Sequence, residues 1–401
     1  MTRQPVFRRL WQPPARFEDR PSDRRVTFLE LFFDLVFVVV IAQLAHELAE
    51  HPTWAGTGWF VFLFYAVWSS WINGTLYHDL HSTNDVSVRV FTFIQMLSVA
   101  VMAVYVGDVP GDGSVGFALA YAANTLILVA LWFRTGVHDP DHRPASVPYS
   151  IAYLVSALAF GASALIPEPA RYGLWAFGLV AEIGGLIVAF YRWTPPESQG
   201  GEAVIATTPS LIERMGLFVI IVLGEVVVGA VTGMAEVSDL GFDGILLGLL
   251  GVLVAIGLWW LYFDLVSHRV PVSRRTQLWL YLHLPMVMAI AAGGAGVLNT
   301  IEHAREPIPA GVRWLLVGPL AVALVTIVAL TLVLEIRARL PRIYRTVDVA
   351  MVISALTIGA VGWTAWGAIQ TLTVMVVLLL FPVATGLLVL VKSTEPGFET
   401  E

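Results

Sequence analysis

Charge-free apolar runs long enough to cross a bilayer recur along the whole chain, at 55–77, 113–133, 144–167, 244–263, 314–334 and 349–391. Hydrocarbon cannot hydrogen-bond a peptide group, so a chain built of such runs has to fold as helices that satisfy their own backbone. The last run is long enough for two spans. Apolar residues make up 57% of the chain and charged residues 13%, with a mean hydropathy of +0.76. These values exclude a soluble globular domain. The reading is an all-α, polytopic membrane helix bundle whose main partner is the lipid bilayer. There is no cysteine, so disulfide and thiolate chemistry are excluded.

Twelve spans are expected, at about 27–49, 54–77, 90–107, 114–134, 147–166, 171–192, 209–232, 243–266, 277–298, 313–334, 347–365 and 370–391. The basic residues check this count. With the N-terminus inside, only Arg171, Arg305 and Arg313 of the 23 basic residues fall in outer loops, and Arg214 falls inside a span. That asymmetry follows the positive-inside rule, and adding or dropping one span would destroy it. Both termini are therefore expected in the cytosol. The arginine-rich segment 1–26 lacks the apolar core of a secretory signal and reads as a retained cytosolic tail. Residues 393–401 read as the other tail.

The Pro/Gly/Thr-rich stretch 194–208 falls midway and reads as a cytosolic linker between two six-helix halves, 27–193 and 209–392. The halves resemble each other. Leu76-Tyr77-His78-Asp79-Leu80 closes the second span, and Leu261-Tyr262-Phe263-Asp264-Leu265 closes the eighth. Tryptophan precedes both, at Trp71 and at Trp259-Trp260. Arg89 followed by Gln95 opens the third span, and Arg275 followed by His283 opens the ninth. Six spans per half is an even number, so the halves are expected to be parallel repeats.

Ionisable residues inside spans are costly in hydrocarbon, and they mark candidate sites. Glu30 and Asp34 lie four residues apart and share a helix face, with Asp34 about 6 Å deeper at 1.5 Å per residue. An acid pair at a helix start also has a plain capping explanation. Glu225 lies about 18 Å beyond Glu213 by the same rise, too deep for a membrane-edge account. Asp79, Glu213, Arg214, Asp264 and His283 fall at a depth comparable to Glu30 and Asp34. Arg214 is the natural partner of these acids, because a buried charge needs pairing. Gln43 and Glu182, the latter near the middle of the sixth span, are secondary candidates. The His78-Asp79-Leu80-His81 run does not have the spacing of a metal site, so no metal is expected. Phosphate loops, nucleophile elbows and dinucleotide fingerprints are missing, and no cofactor or nucleic-acid partner is expected.

Three stretches together resemble the bacterial low temperature requirement protein A (LtrA) family. They are Glu30-Leu31-Phe32-Phe33-Asp34-Leu35-Val36-Phe37, then Glu213-Arg214-Met215-Gly216-Leu217-Phe218-Val219-Ile220 through Leu223-Gly224-Glu225, and Trp259-Trp260-Leu261-Tyr262-Phe263-Asp264. The likeness covers about residues 25–390. It implies a multi-spanning protein of the bacterial cytoplasmic membrane, linked by name to growth in the cold, and supplies no mechanism. By motif match it selects Glu30, Asp34, Glu213, Arg214, Glu225 and Asp264, the residues that the cost of burying charge had already picked out.

Two functional classes stay open. In the first, the chain is a secondary transporter. Asp34 or Glu225 would bind a proton or sodium, and Arg214 would be a counter-charge or hold an anionic small molecule. In the second, it is an integral-membrane enzyme acting on a lipid or isoprenoid through Asp34, Asp79 and Asp264. A structural or sensory role in cold adaptation of the membrane is the third possibility. The transporter reading is preferred to the enzyme. The sequence does not decide whether the protein forms a homo-oligomer.

Overall fold

The computed structural model describes residues 12–16, 24–81, 83, 85–192, 207–236, 241–303 and 307–392. Among these, twelve helices are long and apolar enough to cross a membrane. They are α1 (Phe28–Glu50), α2 (Trp54–His81), α3 (Val86–Tyr105), α4 (Gly113–His138), α5 (Arg143–Ser163), α6 (Ala170–Arg192), α7 (Pro209–Glu236), α8 (Phe242–Leu265), α9 (Thr276–Glu302), α10 (Ala310–Thr331), α11 (Pro341–Val361) and α12 (Ala368–Lys392). The all-helical polytopic bundle expected from the hydropathy is therefore present. Among the described residues, the β-type pairing is limited to an isolated bridge between Pro271 and Leu334.

The helix starts differ from expectation where the first turn is polar. Helix α3 begins four residues earlier than its apolar run, because Asp85 caps it. The Asp85 carboxylate accepts from Val88 N at 3.3 Å and Ser87 Oγ at 2.6 Å. Burial pushes this carboxyl up, but hydrogen bonds from Ser87, Gln12 N, Thr83 and Val88 outweigh it and hold it below the usual range. Helices α5 and α11 also start early, each with a proline in its first two positions, where the missing N–H costs nothing. A hydropathy window does not register such turns.

The chain forms two compact units. The first contains α1 through Leu44 and then Gly58–Arg214. The second contains Ala45–Thr57 and the chain from Met215 onward. The expected linker lies outside the described residues except for Thr207 and Thr208, as do the C-terminal tail and most of the N-terminal one.

In the first unit α3 packs on α4, α4 on α5, and α5 on α6. Aromatic residues fill the space between them. Trp132 stacks on Tyr149 at 4.3 Å, Tyr121 on Phe160 at 4.1 Å, and Phe160 on Trp175 at 5.5 Å. Small residues set the closest approach. A Cβ on Gly185 would lie 2.3 Å from the Cβ of Ala152, so α6 rides directly on α5. In the second unit α9 packs on α10, α10 on α11, α11 on α12, α12 on α8, and α8 on α9. There a Cβ on Gly296 would lie 2.6 Å from the backbone of Leu315 and Leu316. In both units large apolar side chains such as Leu97, Leu158, Leu356 and Leu388 point outward. Glu30, Asp34, Asp79, Glu182, Arg214 and Glu225 are buried, as a lipid solvent requires.

Two outcomes follow. Gly296→Ala puts a methyl group against backbone that no rotamer change relieves, so it should destabilise by about 1–3 kcal/mol or more. Thermal unfolding in detergent reads this. The second concerns His142, which sits beside His81 with ring centroids 4.6 Å apart. Burial, aided by His81, lowers its pKa from 6.5 to about 3. Between those values the unfolded chain binds the proton and the folded one does not, so stability falls as pH drops through that window. His142→Phe should flatten this slope in a pH series of the same unfolding curve.

Candidate functional site

The site grows from the start of α1. Thr27-Phe28-Leu29-Glu30 forms a capping box: Glu30 N donates to Thr27 Oγ1 at 3.3 Å, and Thr27 N donates to Glu30 Oε2 at 2.9 Å. The capping explanation for Glu30 therefore holds for one of its oxygens. The other, Oε1, takes the guanidinium of Arg24.

One turn deeper, Asp34 is 1% exposed and Arg214 is fully buried. Their contact is bidentate, with Arg214 Nε to Oδ2 at 3.2 Å and Nη2 to Oδ1 at 2.5 Å. This planar fork is the strongest geometry available to a guanidinium and a carboxylate. Trp71 of α2 donates its Nε1 to Asp34 Oδ1 at 2.8 Å. The guanidinium also lies over the Phe33 ring, 5.8 Å from its centroid. Its third nitrogen, Nη1, makes no hydrogen bond among the described residues and stands 4.0 Å from Glu30 Oε1.

Asp79, at the end of α2, sits against the first turn of α7. Thr208 Oγ1 donates to both of its oxygens at 2.8 Å, and Ser210 donates to Oδ1. Thr208 also caps α7 through Leu211 N at 2.9 Å. A carboxylate is favoured there, because a helix start carries positive partial charge. Arg24 Nη1 reaches the same Asp79 Oδ1 at 3.2 Å. The result is one network in which Glu30, Asp34 and Asp79 share Arg24 and Arg214. His78 and Gln95, both buried, interact beside it.

Of the other candidates, Glu213, Gln43 and Glu182 belong to the first unit, and Asp264, His283 and Glu225 to the second. Glu213 is half-buried and accepts from Val26 N at 3.4 Å. Gln43 is on an exposed face of α1. Asp264, expected to join the acids, belongs to the second unit and is exposed. It accepts from Trp260 Nε1 at 2.7 Å and borders a surface groove with Leu261, Ile343 and Val347. Its sequence counterpart Asp79 is buried because Thr208, Ser210 and Arg24 enclose it. His283 is buried in the second unit, where Nδ1 lies 2.8 Å from Trp279 O and Nε2 lies 3.1 Å from Tyr262 OH. A carbonyl only accepts, so Nδ1 carries the proton and Tyr262 donates to Nε2. Glu225 is buried in the second unit with no charged partner among the described residues. Glu182 is buried within the first unit, with Ser69, Asn73, Tyr121 and Ser156 around it.

Arg24, Trp71, Thr208 and Ser210 were not among the candidates read from the sequence. Only the Thr27-x-x-Glu30 pattern had a local signal. Among the described residues one metal-type grouping occurs: Glu47, Glu50 and His51 bring ligand atoms within 4.8 Å of one another at the end of α1. They are largely exposed on a single helix end, where such groups are common without an ion. They are not part of the network.

Arg214→Ala would strand Asp34 inside the unit, at a cost of roughly 3–5 kcal/mol. Asp34→Asn should cost less, because the amide oxygen still accepts from Trp71. Comparing the two unfolding midpoints in detergent checks this order.

The sequence was compared with known proteins. The profile of the family described as "Bacterial low temperature requirement A protein (LtrA)" matches residues 25–391. A protein of Rhizobium meliloti (strain 1021), itself described as uncharacterized, is 30% identical over 301 residues, covering 71% of this chain and 72% of the relative.

Proposed function

This chain belongs to the bacterial low temperature requirement A family, and we propose that it is a secondary transporter of the bacterial cytoplasmic membrane, with both termini in the cytosol. In this reading the coupling ion is a proton or sodium, and Asp34 is the group that takes it. The cargo is a small molecule or ion, and an anion suits the guanidinium best.

One observation carries the reading: three carboxylates share two guanidiniums inside an apolar helical unit. Among the described residues, with every group ionised, these carboxylates outnumber the guanidiniums by one. Charge in hydrocarbon is costly, so a single proton or monovalent cation is the natural complement. Neutralising Asp34 weakens its grip on Arg214. The guanidinium then has two ways to recover a partner. It can turn further toward Glu30, or it can take an anionic cargo on Nη1. Trp71 donates to Asp34 in either state and keeps the carboxyl in place. The ion and the cargo are thereby linked through one side chain.

The likeness of Leu76-Tyr77-His78-Asp79-Leu80 and Leu261-Tyr262-Phe263-Asp264-Leu265 is what favours reading the halves as repeats, and repeated bundles are common among secondary transporters.

The test uses purified protein in liposomes loaded with pH-sensitive and sodium-sensitive dyes and challenged with a panel of anionic and neutral metabolites. The expected result is a substrate-dependent proton or sodium flux that Asp34→Asn abolishes while the protein stays folded. Flux that persists unchanged in Asp34→Asn would remove Asp34 from the mechanism. No flux with any substrate, together with full cold-growth rescue by Asp34→Asn and Glu225→Gln, would make these acids structural.

A further inference from the structure

Glu182 presents a problem of charge that its neighbours do not solve. It lies within α6, 5% exposed, and its partners among the described residues are all neutral. Ser69 Oγ donates to Oε2 at 2.6 Å and Asn73 Nδ2 at 3.3 Å, both from α2. Ser156 Oγ of α5 donates to Oε1 at 2.7 Å, and Tyr121 OH of α4 at 3.0 Å. Three helices therefore close on one carboxyl group carried by a fourth.

Packing builds this enclosure. Gly178 and Gly185 flank Glu182 on the same side of α6. A Cβ on Gly178 would lie 3.1 Å from Ser156 Oγ, and one on Gly185 would collide with Ala152. Larger residues at these positions would push α6 away from α5 and pull Glu182 from Ser156. The four donors supply dipoles, which favour an ionised carboxylate, but no opposite charge. An ionised Glu182 would leave a net charge in hydrocarbon.

The oxygens here suit a small hard cation. Each hydroxyl keeps lone pairs while it donates, and Asn73 carries an amide oxygen. With the carboxylate they form an all-oxygen set of the kind hard cations prefer. A divalent ion would overshoot the single negative charge, whereas a monovalent one balances it. Asn124, one turn beyond Tyr121 on α4, is fully buried, and neither of its amide atoms has a hydrogen-bond partner among the described residues, so polar capacity on this helix is left over.

We infer that Glu182, Ser69, Asn73, Tyr121 and Ser156 form a binding site for a small monovalent cation, a proton or a sodium ion, independent of the Asp34–Arg214 pair. The site stands whether or not the protein transports anything. Helix α2 joins it to the first network, giving Ser69 and Asn73 to Glu182, and Trp71 and Asp79 to the charged cluster.

Infrared difference spectroscopy on the full chain in lipid nanodiscs tests it. The carboxyl signal that disappears in Glu182→Gln is followed during pH steps and during sodium additions at fixed pH, with choline as the control ion. A signal that titrates with pH and ignores sodium identifies a proton site. A saturable change with sodium and none with choline identifies a sodium site. A Glu182 signal unchanged by either, over the pH range in which the protein stays folded, overturns the inference. Should Glu182→Gln fail to fold, Ser156→Ala and Tyr121→Phe keep the carboxyl and should shift the midpoint of the pH or sodium response. An unshifted midpoint in both overturns it equally.

Discussion

The bidentate contact between Asp34 and Arg214 is the constraint on which the first unit depends. Both groups are essentially fully buried. Neither α1 nor α7 could be buried along these faces without the other, since each would carry a bare charge into an apolar interior. The pair therefore fixes which turn of α1 meets which turn of α7. Arg24 then draws Glu30 and Asp79 into the same network, and Thr208 and Ser210 tie the start of α7 to the end of α2.

Stability alone does not explain such a pair. Replacing a buried ion pair by apolar residues of similar volume is often neutral or stabilising, because desolvation offsets the attraction. A bundle with this much leucine, valine and alanine has simpler ways to hold two helices together. In the proposed reading, the excess of carboxylates over guanidiniums among the described residues gives the pair something an apolar contact lacks, a state that changes when one monovalent ion arrives. Glu182 follows the same logic with a different solution, using neutral donors where the first network uses arginines.

The spans were legible in the sequence because hydrocarbon imposes one structure on a long apolar run. Helix starts were less legible wherever the first turn was polar, as at Asp85 and Pro341. The pairing of Asp34 with Arg214 could be anticipated, because a buried charge demands a partner and Arg214 is the basic residue inside a span. Arg24 could not, since it reads as part of a solvated arginine-rich tail, and its partner Asp79 is 55 residues away. Asp79 and Asp264 occupy matching places in similar motifs yet differ in burial. The difference comes from Thr208, Ser210 and Arg24, which lie outside the motif and surround Asp79.

A double-mutant cycle measures the central interaction directly. Asp34→Ala, Arg214→Ala and the double variant would be unfolded in the same detergent and their stabilities compared. Each single variant strands a buried charge and the double variant strands neither. The account predicts that the double variant is more stable than either single one, with a coupling energy of about 1.5 kcal/mol or more, as close buried charge pairs give. Additive losses, with coupling near zero, would show that the two residues do not depend on each other and would contradict it.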